Sequence, residues 1–497
     1  MKTYPTNEIK NVVLLGASGS GKTTLAEAMA FDGKVIDRRG SIETDSTLSD
    51  YTDIEHIYKR SIYPTLLFAE YNGYKLNIID TPGADDFCGG LFSAFKVADV
   101  GVMLINAQNG FEVGSEIQAR YARSHDKPII AVINQLDSEK ASWEASLDSI
   151  RAASQVTPVV VQYPVNPGPD FNAFIDVLLM KMYKFKGDTG IREELDIPAE
   201  EMERATELNR ILTEAAAEND EALMELYFEK GVLTQDELRS GLKLGLAKRD
   251  LIPVFCASGK RDIGAKRLME FIINVAPGPL KAPNFVTVDG REIEPDSNGP
   301  TALFFFKTTV EPHLGEVTYF RVVSGKVTEG MELVNSKTGN KEKISQLFAV
   351  AGKNRVKVTE MMAGDIGCTV KLKGTRTNQT LSTPGSNIEI DPIRFPEPRY
   401  RVAVKAVKTG EDEKLGELLN RANFEDPTIL VEYSKELKQI ILQGQGEHHL
   451  NILKWQWRWS TSHRKSRSAK RSRKWPQPIT GTKNNRAEPD NSAKYGS

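Results

Sequence analysis

Short apolar runs divided by polar turns pattern the first 290 residues of the chain. Ile9–Leu15, Leu76–Ile79, Val100–Ile105 and Pro128–Ile133 have the brevity and apolar content of strands buried on both faces. Helical patterns follow them, as at Thr24–Ala30 and Ser115–Ser124. This alternation predicts a doubly wound α/β domain with a mainly parallel sheet over residues 1–290. Between Asp170 and Leu251 the pattern turns helical and acidic, which predicts a helical insert at about residues 165–250 in place of more sheet. Ala276-Pro277-Gly278-Pro279 punctuates the end of the unit.

The texture then changes. From Gly299 to about Asp391, alternating and β-branched runs such as Ala302–Val310 and Gly315–Val327 are separated by glycine turns. They predict a small antiparallel β-barrel over residues 298–392. From Pro396 to Lys454, strands around Arg401–Val407 and Ile429–Ser434 flank helices beginning near Glu411 and His448, a compact α+β domain at 396–454.

Length agrees with this division, since 497 residues correspond to roughly three domains. No apolar run approaches the about 18 residues that cross a bilayer, so no membrane partner is expected. The start, from Met1 to Gly16, lacks the basic-then-apolar order of a signal peptide. Cys88, Cys256 and Cys368 lie far apart and form neither a zinc spacing nor a disulfide framework. Unpaired thiols suit a reducing compartment, and a cytoplasmic monomer is expected.

The net charge of −2 conceals an asymmetry. Residues 455–497 hold eleven Lys/Arg against two Asp/Glu, and the rest of the chain 54 against 65. Four of the five tryptophans (Trp455, Trp457, Trp459 and Trp475) fall in the same basic stretch. Its composition is foreign to what precedes it.

The chemistry concentrates after the predicted strands. Gly16-Ala17-Ser18-Gly19-Ser20-Gly21-Lys22-Thr23 follows the first strand and, with Thr24, opens a helix, the context that distinguishes a P-loop from a glycine-rich turn. Its N–H groups can close around phosphate oxygens at a helix N-terminus, Lys22 can reach the β- and γ-phosphates, and the Thr23 hydroxyl can ligate Mg²⁺. Asp80-Thr81-Pro82-Gly83 follows the second strand. Asp80 would hold Mg²⁺ through water, and the Gly83 N–H would sense the γ-phosphate. Asn134-Gln135-Leu136-Asp137 ends another strand, and the Asp137 carboxylate can accept N1–H and N2–H of guanine, which adenine does not offer. Cys256-Ala257-Ser258-Gly259 ends a further strand and can meet guanine O6 through its N–H groups. Together these segments predict GTP and oppose an ATP-dependent kinase or ATPase.

With four such motifs in this order, the chain resembles elongation factor G and its translational relatives. The resemblance continues through Gly315-Glu316-Val317 and Arg321–Gly325, similar to the family's second-domain barrel, and through Gly444–Leu450, similar to its third domain. It covers roughly residues 8–454. It implies a ribosome-associated GTP hydrolase acting in translocation or ribosome remodelling. Ribosomal-protection and release-factor GTPases share the same core.

Departures from the family fall on the hydrolytic elements. The resemblance implies a water-orienting histidine after Gly83, where this chain has Ala84. Gly19 stands where the family commonly carries an aspartate. The Mg²⁺-ligating threonine of the first switch aligns with Tyr63, and only a shifted register would bring Thr65 into its place. The expectation is firm GTP binding with slow hydrolysis. The rival reading is a non-hydrolysing, GTP-dependent ribosome-binding regulator.

His448 and His449 are adjacent at the start of a helix, so they point in different directions, and a structural or ribosome-facing role is expected over a metal site. The family continues into a fourth domain where this chain has the basic run Arg464–Lys474. Codons compatible with Lys483–Tyr495, read from each third base, allow Lys-Gln-Ser-Gly-Gly-Ala-Gly-Gln-Phe-Gly-Glu-Val, which resembles the glycine-rich strand and turn of that domain. A change of reading frame near Lys454–Arg458 and a disordered tail are therefore expected, against the alternative of an RNA-binding arm.

Overall fold

The structure, a computed structural model, describes residues 1–311, 313–404, 412–434 and 439–462. Most of the basic tail, with the frameshift and RNA-arm expectations attached to it, lies outside the described residues.

The predicted strands and helices assemble around one sheet. β1 (Ile9–Leu15) is buried throughout and leads through the glycine loop into α1 (Lys22–Asp32). A one-and-a-half-turn helix, α2 (Asp53–Tyr58), is closed at its N-terminus by a capping box between Thr52 and Glu55. β2 (Thr65–Tyr71) and β3 (Tyr74–Asp80) form a hairpin whose turn, Asn72-Gly73, holds both φ angles positive, at 46° and 85°. Those are the signs of the two-residue turn whose twist matches its strands, and Asn-Gly is its favoured sequence. α3 (Cys88–Val97), β4 (Val100–Asn106), α4 (Val113–Ser124), β5 (Ile129–Asn134), α5 (Trp143–Ala153) and β6 (Thr157–Val160) continue the alternation.

The acidic stretch expected to be helical from Asp170 begins as sheet. β7 (Gln162–Pro164), β8 (Ala173–Asp176), β9 (Lys181–Phe185) and β10 (Arg192–Leu195) make an antiparallel sheet, and helix starts only at Ala199. The physical reason is aromatic burial. Phe171, Phe174, Tyr183 and Phe185 are all buried, and the Phe174 ring meets those of Tyr183 and Phe185 across strands too short to show a period. Asp176 and the Arg267 guanidinium, 2.7 Å apart and both buried, tie this sheet to the main body. The helices that follow are α6 (Ala199–Ala217), α7 (Glu221–Lys230) and α8 (Gln235–Lys248), the last two capped by the Asp220 and Thr234 side chains. β11 (Leu251–Cys256) and α9 (Ala265–Asn274) return to the main sheet.

That sheet has the order β2-β3-β1-β4-β5-β11-β6 and is parallel except for β2. In an open α/β sheet ligands gather beyond the carboxyl ends of the strands, and every predicted nucleotide motif sits there.

Residues 302–382 form an antiparallel barrel built on the long hairpin Ala302–Glu311 with Gly315–Ser324. Beyond it, strands 400–404, 439–444 and 430–434 make a three-stranded antiparallel sheet flanked by α10 (Asp412–Glu425) and α11 (Glu447–Ser462). The architecture is thus a doubly wound α/β domain, a β-barrel and an α+β domain.

A buried polar network joins the barrel to β1, β3 and the start of β4 in the main sheet. Lys75 and Asp365 pair at 2.6 Å, and Arg321 pairs with Asp99 at 2.7 Å. Asn11 donates to Asp99 at 2.9 Å, and Asn77 donates to Asp365 at 3.0 Å. Removing one member strands its partner's charge away from water. Asp365→Ala is therefore expected to destabilise this joint by about 3–5 kcal/mol, read as a lowered urea midpoint, whereas Lys75→Met with Asp365→Leu should recover most of the loss. An unchanged midpoint in the single variant would show that water reaches the pair.

Candidate functional site

The glycine loop takes its shape from positions that only glycine fills easily. Gly16 and Gly21 have φ of 133° and 89°, and a Cβ on either would strike the Leu104 carbonyl or the Asn134 carboxamide. α1 begins directly after Gly21 with no side chain bonded to its first N–H groups. Those donors and the positive end of the helix dipole face the loop. Lys22 lies inside it, donating to the Gly16 carbonyl at 2.7 Å and the Ala17 carbonyl at 3.0 Å. Burial lowers its ammonium to about 8, against the opposing charge of Asp80.

The loop is held from α4. Gln118 accepts from Gly16 N–H at 2.8 Å and donates to the Pro82 carbonyl at 3.3 Å, and the Ser115 hydroxyl accepts from Ala17 N–H at 3.2 Å. Gly83 presses against the same loop, and a Cβ there would lie 2.7 Å from Lys22 Nζ. Any side chain at Gly83 would invade the phosphate cradle. Ala84 follows, half-buried and extended at φ −93°, at the start of the single 3₁₀ turn Asp85–Phe87.

Where the sequence predicts a cation, the Thr23 hydroxyl donates to Asp80 at 2.7 Å and meets the Ser61 hydroxyl at 3.1 Å. The other Asp80 oxygen and both oxygens of Asp50 are buried with no hydrogen-bond partner among the described residues. Burial pushes both carboxyls upward, and for Asp50 the charge of Asp80 adds to it. Two buried carboxylates with vacant lone pairs beside a hydroxyl are the donor set of a hard divalent cation, so these residues fit Mg²⁺. Asp50 belongs to no motif in the sequence, and Ser61, two residues before Tyr63 in the first switch, is given no cation role by it. Asp50 stands in a polar run where nothing marks it, and only the fold brings it to Asp80. Thr65 is the first residue of β2, and its hydroxyl donates to the Ser49 carbonyl at 3.1 Å.

The segments predicted to read the base are bound to each other and to the loop. Asn134 donates to the Ser20 carbonyl at 2.9 Å and accepts from Gly259 N–H at 3.0 Å. Gln135, at a positive φ of 64°, donates to the Gly19 carbonyl at 2.7 Å. Leu136 N–H donates to the Ala257 carbonyl at 3.3 Å, and the Ser258 hydroxyl accepts from Arg261 N–H at 3.2 Å. Asp137, half-buried, follows from this frame. The structure thus gathers Gly16–Thr24, Asp80, Gly83, Ala84, Asn134, Gln135, Asp137, Ser258 and Gly259 around the carboxyl ends of β1, β3, β5 and β11.

The two histidines occupy a joint between domains. His449 Nδ1 accepts from Gln445 N–H at 3.2 Å, so the proton lies on Nε2, which donates to Asp426 at 3.0 Å. Burial, the largest single influence, would raise the Asp426 carboxyl, but the interactions with His449 and Thr428 together outweigh it and hold it low. Asp86, within the 3₁₀ turn after Ala84, accepts from His449 N–H at 3.2 Å. The His448 ring meets Phe87 at 5.5 Å and Tyr58 at 5.4 Å, both edge-on. The start of α11 therefore touches both segments that flank the phosphate end of the site. No sequence motif pointed to Asp86.

The sequence matches the family described as Elongation factor Tu GTP binding domain over residues 7–278, Elongation factor G domain 2 over 300–384, and Elongation Factor G, domain III over 395–460. The chain belongs to the elongation factor G-like translational GTPases. The structure of this GTPase is similar to a solved protein of Thermus thermophilus, with a TM-score of 0.81 and 28% identity. The match covers 90% of this chain and 66% of that one, so the translational GTPase described here spans under two thirds of that relative's length. Among the described residues no helix is long and apolar enough to cross a membrane.

Proposed function

We propose that this translational GTPase acts on the ribosome as a GTP-operated switch, taking part in tRNA/mRNA translocation or ribosome remodelling, and that it cleaves GTP slowly. In this reading the loop N–H groups and Lys22 hold the phosphates, and Asp137, framed by Asn134 and the Ser258-Gly259 loop, selects guanine. Thr23 and Asp80, with Asp50 and Ser61, would hold Mg²⁺, which would neutralise phosphate charge. Thr65 could join them only by giving up its bond to Ser49. Gly83 N–H senses the γ-phosphate, and the Asp86–His449 contact passes that state to the third domain.

The observation that carries slow hydrolysis is Ala84. Its methyl group neither donates nor accepts, so it cannot orient an attacking water, a function worth on the order of 10²–10⁴-fold in rate. Single-turnover GTP hydrolysis, with and without ribosomes, tests the proposal. Slow cleavage in both is expected, and ribosome-stimulated turnover at ordinary elongation-factor rates would overturn it. Ala84 also favours a second reading, a non-hydrolysing GTP-dependent regulator that occupies the factor site. Ribosome co-sedimentation separates the two. If hydrolysis drives release, a non-hydrolysable analogue traps the protein; if not, GTP and the analogue retain it equally.

A further inference from the structure

The GTPase domain contains an apolar cavity of about 290 Å³ between α4 and α5, over the sheet face formed by β4, β5 and β11. It is separate from the nucleotide site. Residues at the starts of β5 and β11, among them Ile129 and Leu251, line it, whereas the guanine-reading loops leave the other ends of the same strands. Its walls include Met103, Ile105, Ala131 and Ile150, all buried. A water molecule there would find few polar partners, so the space suits an apolar group.

The mouth is different. Arg123, Lys248 and Arg249 stand exposed around it, with Asp126 as the carboxylate among the lining residues. Arg249 pairs with Asp126 at 2.8 Å, and the Lys248 ammonium donates to the Asn219 carbonyl at 2.9 Å. Lys127 turns its ammonium to the Ala98 carbonyl at 2.7 Å. Arg123 has no ion-pair partner among the described residues. The rim thus keeps a net positive charge with one guanidinium uncommitted, above an apolar interior. Ligand pockets are mostly apolar with a few placed polar groups, at about 300–1,000 Å³. This cavity lies at the lower edge of that range and limits the ligand to a small one.

We propose that this cavity binds a medium-chain aliphatic monocarboxylate, with the chain between α4 and α5 and the carboxylate on Arg123. A guanidinium and a carboxylate match as a paired donor and acceptor fork, which a hydroxyl or an ammonium headgroup cannot reproduce. The aliphatic chain is favoured over an aromatic ligand because Phe111 is the single aromatic among the lining residues.

Calorimetric titration of the full chain, saturated with GDP, with decanoate tests this below the concentration at which decanoate aggregates. Saturable binding at one site is expected, with a negative heat-capacity change from apolar burial. Arg123→Gln should weaken it by about tenfold or more, the value of a charge-assisted hydrogen bond. Ala119→Phe, which fills the cavity, should abolish it. Ala153→Trp, nearer the surface, should do the same and serves if Ala119→Phe fails to fold. Absence of saturable binding, equal binding of decanol, or binding retained in a folded cavity-filling variant would each overturn the proposal.

Discussion

Asp137→Asn is expected to move the nucleotide preference of this GTPase from guanine to xanthine. The carboxylate presents two acceptors to the two donors on guanine N1 and N2. A carboxamide presents one acceptor and one donor, and the donor opposes the guanine amino group. Xanthine carries a carbonyl at that position and N1–H beside it, which the carboxamide matches. Each hydrogen bond to a charged group is worth about 1.5–3 kcal/mol, and a site left with unpaired polar groups can discriminate by on the order of 10⁴-fold. The change should act on recognition and leave the fold intact. Asp137 follows a segment held by Asn134, Gln135 and Leu136 through bonds that do not involve its side chain. Equilibrium titration with fluorescent GDP and XDP measures the shift. A variant that still prefers GDP by the original margin would show that another group reads the base.

Ala84→His is expected to raise single-turnover hydrolysis by about 10²–10⁴-fold, the range for a positioned proton-transfer group. Backbone geometry does not oppose it, because Ala84 is extended and any L-residue adopts that conformation. The side chain is half-buried next to Gly83, whose own Cβ direction points at Lys22. GTP affinity should change little, since the phosphate cradle and guanine frame are untouched. Quenched-flow measurement of phosphate release, in parallel with nucleotide affinity, separates the two effects. An unchanged rate would mean that the attacking water is already oriented by another group. His448 touches both Tyr58 and Phe87, and burial holds its imidazolium pKa low, so its substitution is the natural companion measurement.

Much of the site was legible because its chemistry is local. A strand, a glycine loop and a helix follow one another in the chain, so the phosphate grip of Gly16–Thr24 needs no distant partner to be recognised. The same holds for Asp80-Thr81-Pro82-Gly83 and Asn134–Asp137, each written at the end of its own strand. The α/β, barrel and α+β order also followed from pattern, since burial on both faces, alternation and amphipathic helices leave different periods.

The antiparallel sheet β7–β10 was not legible. Its strands of three to five residues give no measurable period, and their acidic surroundings resemble the helices that follow. Only mutual burial of their aromatics decides for sheet.

What the sequence by itself determined is the pattern of a guanine nucleotide site, the order of its motifs along the chain, and the alanine where a hydrolytic histidine is expected. The tertiary structure decided what stands around that site. It brought Asp50 and Ser61 to Thr23 and Asp80, set Asp86 on the His449 N–H, and joined Lys75 to Asp365 across 290 residues of chain. These are single polar side chains with no spacing rule to announce them. Their roles arise from burial, which removes water as a partner and obliges each charge to find another group. Which group that is depends on chain packing, and no local pattern records it.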